Sequence, residues 1–400
     1  MAEWQTVRLG EIVKTNQSTY SPKENWQFVN YLDTGNITMN KIDEIQNINT
    51  AKDKLPSRAR RKVKTNSIIY STVRPNQLHY GIIKKQPDNF LVSTGFTVID
   101  VNYDKAVPDF IYYALTKQEV TEQLQAIAEQ SVSAYPSLKP SDIENLELML
   151  PDKKTQERIV AILRSIDEKI KENNAINNNL EQQTQAIFKS WFVDFELNYG
   201  IMPSDWKVSQ LGSIAKISTE VFSPAKNPNV EVEHYSIPAY DEKRYPVFET
   251  SNGIKSNKYR LSSNSVMISK LNPDTKRIWR PYCISDNPIC STEFIVYEPI
   301  NPLNRDFIYS IIDSIGFSAF LCSHTTGSTN SRQRATPSIT LTYDIIVPDE
   351  KTIQAFCSIV SPMYDTIENN IKENQKLAET RDKLLPKLMS GELDVSNIEL

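Results

Sequence analysis

Two stretches of the chain place their apolar residues in alternating steps of four and three. The first begins after Pro151 and runs from Ile159 to Trp191 with no internal Gly or Pro. An alternation that continues for more than four heptads is typical of a long helix that pairs with another helix along its length. At 1.5 Å per residue, these 33 residues predict a helix of roughly 50 Å.

The second stretch repeats the first at an offset of 197 residues. In the first helix the predicted core positions are Ile159, Leu163, Ile166, Ile170, Asn173, Asn177, Leu180 and Ile187, with Thr184 and Trp191 in the same series. In the second helix they are Phe356, Val360, Met363, Ile367, Asn370, Asn374, Leu377 and Leu384, with Arg381 and Leu388 in the same series. Two equivalent series predict that the helices pair with each other as an intramolecular coiled coil. The alternative is an ordinary amphipathic helix packed on its own domain.

Asparagine occupies the two central layers of both series, at Asn173, Asn177, Asn370 and Asn374. An Asn side chain that faces an apolar layer is left unsatisfied, so these positions select register and partner. Antiparallel pairing would bring Asn173 against Asn374 and Asn177 against Asn370, and parallel pairing would also align the four. A twofold rotation between equivalent halves requires the antiparallel arrangement, which we therefore predict.

Further apolar residues flank both series and widen the apolar stripe beyond what a two-helix pair can bury. They are Ile162, Ile176 and Phe188 in the first helix, and Ile359, Ile371 and Leu385 in the second. Either partner subunits or the globular parts of the chain are expected to pack on them.

The chain outside the helices also repeats. Three framework residues recur at an offset of 202, because Trp4, Leu9 and Gly10 return as Trp206, Leu211 and Gly212. A period of about half the chain is that of a whole domain, so we predict two domain-sized copies with pseudo-twofold symmetry. The predicted divisions are a globular domain at 1–150, the first long helix at 151–192, a linker and second globular domain at 193–347, and the second long helix with a tail at 348–400.

Both globular halves mix strand-like and helix-like patterns. Apolar runs at 66–73, 91–101, 265–270 and 294–297 predict strands. Asp109 and Asp306 stand where helices are predicted to start, because acidic residues favour the first turn of a helix. The predicted fold class is therefore α/β, with two mixed α/β domains joined by two long antiparallel helices.

Composition removes several classes of function. The ten glycines among the 400 residues never form a G-x-G pair, so neither a dinucleotide fingerprint nor a nucleotide cofactor is expected. The four cysteines lack paired metal-ligand spacing, so no metal site is expected. The start lacks a signal-peptide pattern and no apolar run reaches membrane-spanning length, which predicts a cytoplasmic protein without membrane contact.

The net charge of −4 argues against nucleic acid as a partner when it is taken over the whole chain. The distribution of charge indicates the opposite, because residues 51–64 carry seven basic side chains and one acidic one. Basic, amide-rich loops also follow the equivalent strand in both halves, where they offer phosphate contacts and hydrogen bonds to base edges. Nucleic acid is therefore the predicted partner, and two different sets of loops predict two different recognised sequences.

The candidate DNA-contacting residues fall into two groups. Those in the first half are Arg58, Arg60, Arg61, Lys62, Tyr70, Arg74, Asn76 and His79. Those in the second half are Lys270, Asn272, Arg277, Arg280, Ser328, Asn330, Arg332, Gln333 and Arg334. A solvated turn is the alternative for each loop, and a structural hydrogen bond is the alternative for His79.

Two other classes of function stay open, namely an enzyme that cuts or modifies DNA alone and a structural coiled-coil adaptor. The runs Asp167-Glu168-Lys169 and Asp349-Glu350-Lys351 formally supply the end of a nuclease metal motif, but they lie in or at the entrance of the predicted helices. No local arrangement of Ser, His and Asp or of Cys and His stands out, so no catalytic residue is predicted.

Several motifs resemble those of the specificity subunits of type I restriction-modification systems, and the resemblance covers essentially the whole chain. They are the Trp-x4-Leu-Gly start of each half, Pro151 with Gln156 and Ile159 at the first helix entry, the run 187–195, and the closing run 384–393. The second helix entry departs from this pattern, because Ile353 stands at the offset of Gln156 and Gln354 follows it.

The resemblance implies two target-recognition domains that each bind one half of a bipartite sequence in double-stranded DNA and are held apart by the antiparallel helices. It implies no catalysis in this chain. Two methyltransferase subunits that use S-adenosylmethionine to methylate adenine would dock on it, and restriction subunits with ATP-driven translocation would join them. S-adenosylmethionine and ATP are thus expected on partner subunits only.

Overall fold

The structure, a computed structural model, describes residues 4–131, 136–326 and 333–398. The chain forms two compact units whose limits fall inside its two longest helices. The first unit comprises 1–168 and 378–400, and the second unit comprises 169–377. Each unit therefore holds one globular half together with a segment of both long helices.

The first globular half is made of short strands followed by helices. Its strands are β1 Gln5–Arg8, β2 Val13–Thr15, β3 Phe28–Leu32, β4 Ile37–Thr38, β5 Lys41–Ile42, β6 Gln46–Asn49, β7 Ala59–Lys62, β8 Ile68–Ser71, β9 Tyr80–Ile82, β10 Phe90–Ser93, β11 Phe96–Val101 and β12 Glu147–Leu150. Its helices are α1 Pro108–Leu115, α2 Gln118–Glu129 and α3 Pro140–Glu144, and the long helix α4 Lys153–Phe192 follows.

The second globular half follows the same order. Its strands are β13 Lys207–Gln210, β14 Ala215–Ser218, β15 Val221–Phe222, β16 Glu231–Tyr235, β17 Val247–Thr250, β18 Lys258–Arg260, β19 Val266–Ser269, β20 Ile278–Trp279, β21 Pro288–Ser291, β22 Phe294–Pro299, β23 Thr325–Thr326, β24 Arg334–Ala335 and β25 Asp344–Val347. Its helices are α5 Ile237–Lys243, α6 Arg305–Asp313, α7 Ile315–Ser323 and α8 Pro337–Thr340, and the long helix α9 Glu350–Ser390 follows.

The two globular halves share one sheet topology. One antiparallel sheet has the order β2-β11-β8-β9 in the first half and β14-β22-β19-β20 in the second. A second sheet has the order β6-β3-β10-β7 in the first half and β17-β16-β21-β18-β15 in the second, with a parallel pair at its centre in both. A two-stranded pair closes each half, β1 with β12 and β13 with β25. The α/β class predicted for both copies is thus confirmed.

Burial follows from the apolar runs in the sequence. All four residues of β8 and all four of β19 are buried, as expected for strands covered on both faces. In the first unit this core continues onto Ile159 and Leu163 of α4 and onto Leu388 near the end of α9. In the second unit the core continues onto Phe192 and Phe356. Segments of both long helices therefore complete the core of each unit.

The repeated Leu-Gly pair is explained by a close approach of main chains. Leu9 and Leu211 are fully buried, and the Leu9 N–H donates to the Leu146 carbonyl oxygen at 2.8 Å. A Cβ atom on Gly10 would lie 3.2 Å from the Glu144 carbonyl oxygen, and one on Gly212 would lie 3.3 Å from that of Leu341. A side chain at either glycine would push the helix-to-strand connection away from the start of its domain.

The closing run of the chain packs on the start of the chain within the first unit. Gly391 ends α9 with a φ of +77°, a left-handed conformation that favours glycine after a helix. A Cβ atom at Gly391 would lie 2.6 Å from Trp4 Nε1. Leu388 and Met389 beside it are buried in the first core. Two motifs that are 387 residues apart in sequence thus meet in one contact.

The long helices run antiparallel within the second unit, as the asparagine argument requires. Asn173 Nδ2 donates to Asn374 Oδ1 at 2.9 Å, and Asn370 Nδ2 donates to Asn177 Oδ1 at 2.8 Å. Within the first unit, Arg381 Nη1 donates to Asp167 Oδ1 at 2.9 Å. Every predicted core position of the two helices is buried or half-buried, whereas the residues between them are mostly exposed.

The wide apolar stripe is largely covered by the globular halves. Ile162 and Leu385 pack against the first core, and Phe188 and Ile371 pack against the second. Ile176 and Ile359 stay 45% and 44% exposed. Of the two coverings expected from the sequence, the globular domains therefore account for four of these six residues.

Candidate nucleic-acid interface

A tight turn follows β8 and gives Arg74 an unusual main-chain conformation. Ser71 Oγ donates to the Val73 carbonyl oxygen at 2.9 Å and accepts from the Val73 N–H at 3.2 Å. Arg74 has a φ of +49°, which residues other than glycine adopt at a cost of roughly 1 kcal/mol. Its N–H donates to the Pro136 carbonyl oxygen at 3.1 Å, and its side chain is exposed.

Several segments of the first unit converge on this turn, and we call them the first loop cluster (residues 34, 58, 72–76, 94–95 and 136–138). The Thr72 N–H donates to the Gly95 carbonyl oxygen at 2.8 Å, and the Leu138 N–H donates to that of Thr72 at 2.7 Å. The Thr94 N–H donates to the Arg58 carbonyl oxygen at 2.8 Å. Residues far apart in sequence thus form one surface, on which Arg58, Arg74 and Asn76 are exposed.

The second unit builds the same arrangement, which we call the second loop cluster (residues 269–274, 292–293 and 333–335). Ser269 Oγ donates to the Leu271 carbonyl oxygen at 2.9 Å and accepts from the Leu271 N–H at 3.2 Å. Asn272 has a φ of +49°, and its N–H donates to the Gln333 carbonyl oxygen at 2.9 Å. The Lys270 N–H donates to the Glu293 carbonyl oxygen, and the Ala335 N–H donates to that of Lys270, both at 2.9 Å.

The side chains of the two clusters differ although their main chains match. Arg74 in the first cluster is equivalent to Asn272 in the second, and each precedes a proline. Gly95 is equivalent to Glu293, whose carboxylate accepts from Arg334 Nε at 3.0 Å and Nη2 at 3.3 Å. The first cluster therefore has net positive charge, whereas in the second cluster Asp274 and Glu293 balance Lys270 and Arg334.

The basic side chains at 58–62, which precede β8, differ in whether they are already paired or buried within the first unit. Lys62 pairs with Glu24 and lies 5.1 Å from the centre of the Trp26 ring. Arg61 Nε is buried without a hydrogen-bond partner among the described residues, and burial lowers the Arg61 pKa. Arg58 and Arg60 form no ion pair within the described part of the chain. These two keep their charge available for a phosphate.

Three other candidates of the first unit have structural partners or a buried position. His79 Nδ1 lies 2.6 Å from the Ile37 carbonyl oxygen and 3.3 Å from Thr38 Oγ1, which is the structural alternative for this residue. Asn76 keeps an exposed side chain while its N–H donates to Gln125 Oε1 at 3.2 Å. Tyr70 is 1% exposed and burial raises its pKa, so the structure assigns it to the core instead of the surface.

In the second unit, Arg277 and Arg280 are also used internally. Arg277 donates to both carboxylate oxygens of Asp241, at 2.6 and 2.9 Å. Arg280 is buried and reaches Asp306 at 2.9 Å, Asp365 at 2.6 Å and Glu368 at 3.0 Å. Burial alone would raise the pKa of Asp306, but the adjacent arginines hold it below its usual value. The structure thus places Arg280 in an interior ion-pair network, because α6 and α9 supply carboxylates around it.

Lys270, Asn272, Gln333 and Arg334 lie in the second loop cluster, whereas Ser328, Asn330 and Arg332 lie outside the described residues. Asn272 Oδ1 is buried without a hydrogen-bond partner within the described ranges. Sequence reasoning missed Thr34 and the turns at 94–95 and 292–293 as parts of the surface. The signal was present in the repeated runs 93–96 and 291–294, which differ at Gly95 and Glu293.

Other kinds of site find no support in the residues that the structure describes. No group of three or more His, Cys, Asp or Glu side chains is placed to hold a metal there. Among the same residues, no single helix has the length and apolar composition to cross a membrane, although the bent pair Pro302–Asp313 and Ile315–Ser323 would qualify by length and composition.

Comparison with known proteins identifies the class of domain. Residues 1–182 match the family model described as the type I restriction modification DNA specificity domain. The chain is 26% identical to the type I restriction enzyme HindI specificity subunit of Haemophilus influenzae, over 98% of this chain and 100% of that protein. It is 26% identical to the MjaIX specificity subunit of Methanocaldococcus jannaschii, over 80% of this chain and 76% of that protein.

A solved structure has the same fold. The crystal structure of the type I restriction-modification S subunit from M. genitalium matches with a TM-score of 0.62 and 16% identity, over 99% of this chain and 97% of that one. Residues 1–182 are therefore similar to the DNA specificity domain of type I restriction-modification systems, and the chain as a whole is similar to specificity subunits of such systems.

Proposed function

We propose that this chain is the sequence-specific DNA recognition subunit of a type I restriction-modification complex, in which each globular half binds one half of a bipartite target. One observation carries the proposal. The two loop clusters share their main-chain hydrogen bonds, but they have different side chains at equivalent positions, Arg74 against Asn272 and Gly95 against Glu293. A common frame with different side chains suits two different half-sites.

The roles of the side chains follow from their chemistry and exposure. Arg58 and Arg60 in the first unit and Lys270 in the second would neutralise phosphates and fix the position on DNA. Arg74 and Asn76 would contact base edges in the first half-site, probing the major groove where arginine pairs with guanine and asparagine pairs with adenine. Asn272 and Gln333 would do so in the second. Tyr70 has no part in this proposal because it is buried, and Arg277 and Arg280 have none because their guanidinium groups pair with carboxylates within the second unit.

The long helices would set the distance between the half-sites and carry the docking surfaces for two methyltransferase subunits. Ile176 and Ile359 are the flanking apolar residues that the globular halves leave exposed, so they are candidates for that contact. The chain itself would be non-catalytic, with S-adenosylmethionine held by the methyltransferase subunits and ATP by restriction subunits. DNA, methyltransferase subunits and restriction subunits are thus the proposed partners.

Domain exchange tests the division of labour. The methylated adenines of a host that carries this chain and its methyltransferase partner are mapped across the genome, before and after residues 1–150 are replaced by those of a relative. The result expected is a change in one half-site while the other half-site and the spacer stay the same. A change in both half-sites would contradict the proposal, and methylation by the purified chain without a partner would favour the stand-alone enzyme.

Helix insertion tests the role of the long helices. One heptad is inserted after Lys171 and another after Gln375, so that the layers on both sides of the asparagines keep their pairing. Each insertion adds about 10 Å of helix. At 3.4 Å per base pair this should lengthen the unread spacer by about three base pairs. A methylation map with an unchanged spacer would contradict the ruler role.

A further inference from the structure

The second unit contains a cleft of about 290 Å³ between its long-helix segments and its sheet. Thr184 of α4 and Tyr364 of α9 line one side, and Tyr240, Ile278 and Tyr309 line the other. This volume is near the lower end of those of small-molecule pockets, which start at about 300 Å³. The cleft lies wholly within residues 169–377, and none of its lining residues belongs to the second loop cluster.

The first unit shows what occupies the equivalent place there. The repeat offset of 197 residues makes Arg381 equivalent to Thr184, and Tyr112 equivalent to Tyr309. Arg381 Nη1 donates to Asp167 Oδ1 at 2.9 Å, and Asp167 Oδ2 accepts from the Tyr113 hydroxyl at 2.7 Å. Burial raises the pKa of Tyr112, and the charge of Arg381 nearby acts in the opposite direction. In the first unit a guanidinium group therefore lies among tyrosines and a carboxylate.

The second unit leaves that place open because its residue is small. Thr184 is 1% exposed, and its hydroxyl donates to the Glu181 carbonyl oxygen at 2.9 Å. A threonine side chain lacks the five heavy atoms that arginine carries beyond Cγ, so the residue at this position does not fill the cleft. Tyr309 keeps the place of Tyr112, whereas Tyr364 stands at the offset of Asp167. The two tyrosines pack edge to face at 4.8 Å between ring centres.

The basic groups of the cleft are already paired, so their charges do not oppose a cation. Each basic side chain that lines the cleft bonds a carboxylate, Arg244 with Glu181 at 2.8 Å, Lys276 with Asp313 at 2.5 Å, and Arg280 with Glu368 at 3.0 Å. Burial and then the negative charge of Asp313 raise the pKa of Tyr309 well above its usual value. Carboxylate oxygens and tyrosine faces are the groups that bind guanidinium and ammonium ions.

We propose that this cleft binds a small organic cation with a guanidinium group, held where Arg381 holds its own guanidinium in the first unit. Tyr309 and Tyr364 would contact the faces of the ligand, and Glu181 and Asp313 would accept its hydrogen bonds. The proposal does not depend on DNA recognition, because none of these residues belongs to either loop cluster.

Calorimetric titration of the purified full chain tests the charge and shape of the ligand. Butylguanidinium and butylurea have nearly the same shape, but only the first is charged. Butylguanidinium should bind one site per chain at least about tenfold more tightly than butylurea, a difference of about 1.4 kcal/mol. Equal affinities would overturn the choice of a cation, and no binding of butylguanidinium would overturn the site.

Two reciprocal variants test the location. Thr184→Arg places an arginine side chain in the cleft and should abolish binding of butylguanidinium. The melting temperature of this variant checks that it is folded. Arg381→Thr should open an equivalent cleft in the first unit and raise the stoichiometry from one to two. Unchanged binding by folded Thr184→Arg would overturn the assignment to this cleft. A stoichiometry that stays at one in Arg381→Thr would overturn the equivalence on which the assignment rests.

Discussion

The two loop clusters have the same main chain and different side chains. Ser71 and Ser269 make matching pairs of hydrogen bonds, and Arg74 and Asn272 share a φ of +49°. In the turn between β10 and β11 the first unit has Gly95, and in the equivalent turn between β21 and β22 the second unit has Glu293. A frame held by main-chain and serine hydrogen bonds does not depend on the other side chains, so those side chains can differ between the units while the frame stays the same.

The interiors of the two units differ in a second way. Arg280 directly follows β20 in the second unit. When the strand registers of the two units are matched, it is equivalent to Ile82 of β9 in the first unit. Arg280 joins the sheet to α9 through Asp365 and Glu368, whereas Ile82 belongs to the apolar core. At this position the second unit thus has an ion-pair network, and the first unit has an apolar side chain in its core.

Arg280→Met should have the largest effect on stability. It leaves the buried carboxylate of Asp306 with Arg305 alone, and breaking a buried pair costs about 3 kcal/mol at the low end of the usual range. Urea denaturation of the full chain measures this loss in the free energy of unfolding. Ile82→Met is the matched control and should cost less than about 1.5 kcal/mol. Equal losses would contradict the distinction between the two interiors.

Gly95→Ala should destabilise the first unit, although Glu293 is tolerated at the equivalent position. A Cβ atom at Gly95 would lie 2.8 Å from Thr34 Cγ2, and overpacking of this kind costs about 1 to 3 kcal/mol. Thermal denaturation measures the loss. Thr34→Ser removes the clashing methyl group and should restore most of the stability in the double variant. The same loss with and without Thr34→Ser would show that the contact is not responsible.

Arg74→Ala and Asn272→Ala should each weaken the discrimination of one half-site. The expected cost at one base pair is about 1 to 3 kcal/mol, because a bidentate contact to a base edge is lost. Binding is measured with duplexes that carry single substitutions in either half of the mapped target. Arg58→Ala is the control, since loss of a phosphate contact should weaken binding to all duplexes alike and reduce its salt dependence. Effects of both variants on the same half-site would contradict the model.

Ser71→Ala and Ser269→Ala should have the smallest effects and the same size. Each removes a hydroxyl that donates one hydrogen bond and accepts another within an equivalent turn, a change worth about 1 kcal/mol. Chemical denaturation of the two variants compares them directly. A clear difference between the two losses would show that the frames are less alike than their hydrogen bonds indicate.

Much of the fold was predictable because it depends on periodic patterns. The four-three series gave two long helices, and the antiparallel match of Asn173 with Asn374 followed from their layers. The run 91–101 was predicted as one strand, but it forms β10 and β11 with a turn at Thr94 and Gly95. A local apolar pattern does not show a reversal when both strands are buried.

The candidate site was predictable only in part. Arg74 and Asn272 were predicted because basic and amide-rich loops follow equivalent strands, and both lie in the loop clusters. Tyr70 and Arg280 were included for the same reason, but their burial depends on partners that are distant in sequence. Arg280 meets Asp306, Asp365 and Glu368 only after α6 and α9 have packed on the sheet.

The sequence by itself determined the two copies, the layers of the long helices and the α/β class, because repeats and periodicity are properties of neighbouring residues. Only the tertiary structure decided which charged groups face solvent and which are paired inside. It also decided that the cleft beside Thr184 stays open in the second unit, whereas the Arg381 side chain occupies the equivalent place in the first unit. The physical reason is that burial and ion pairing depend on distance in space, which residue types and their spacing do not specify.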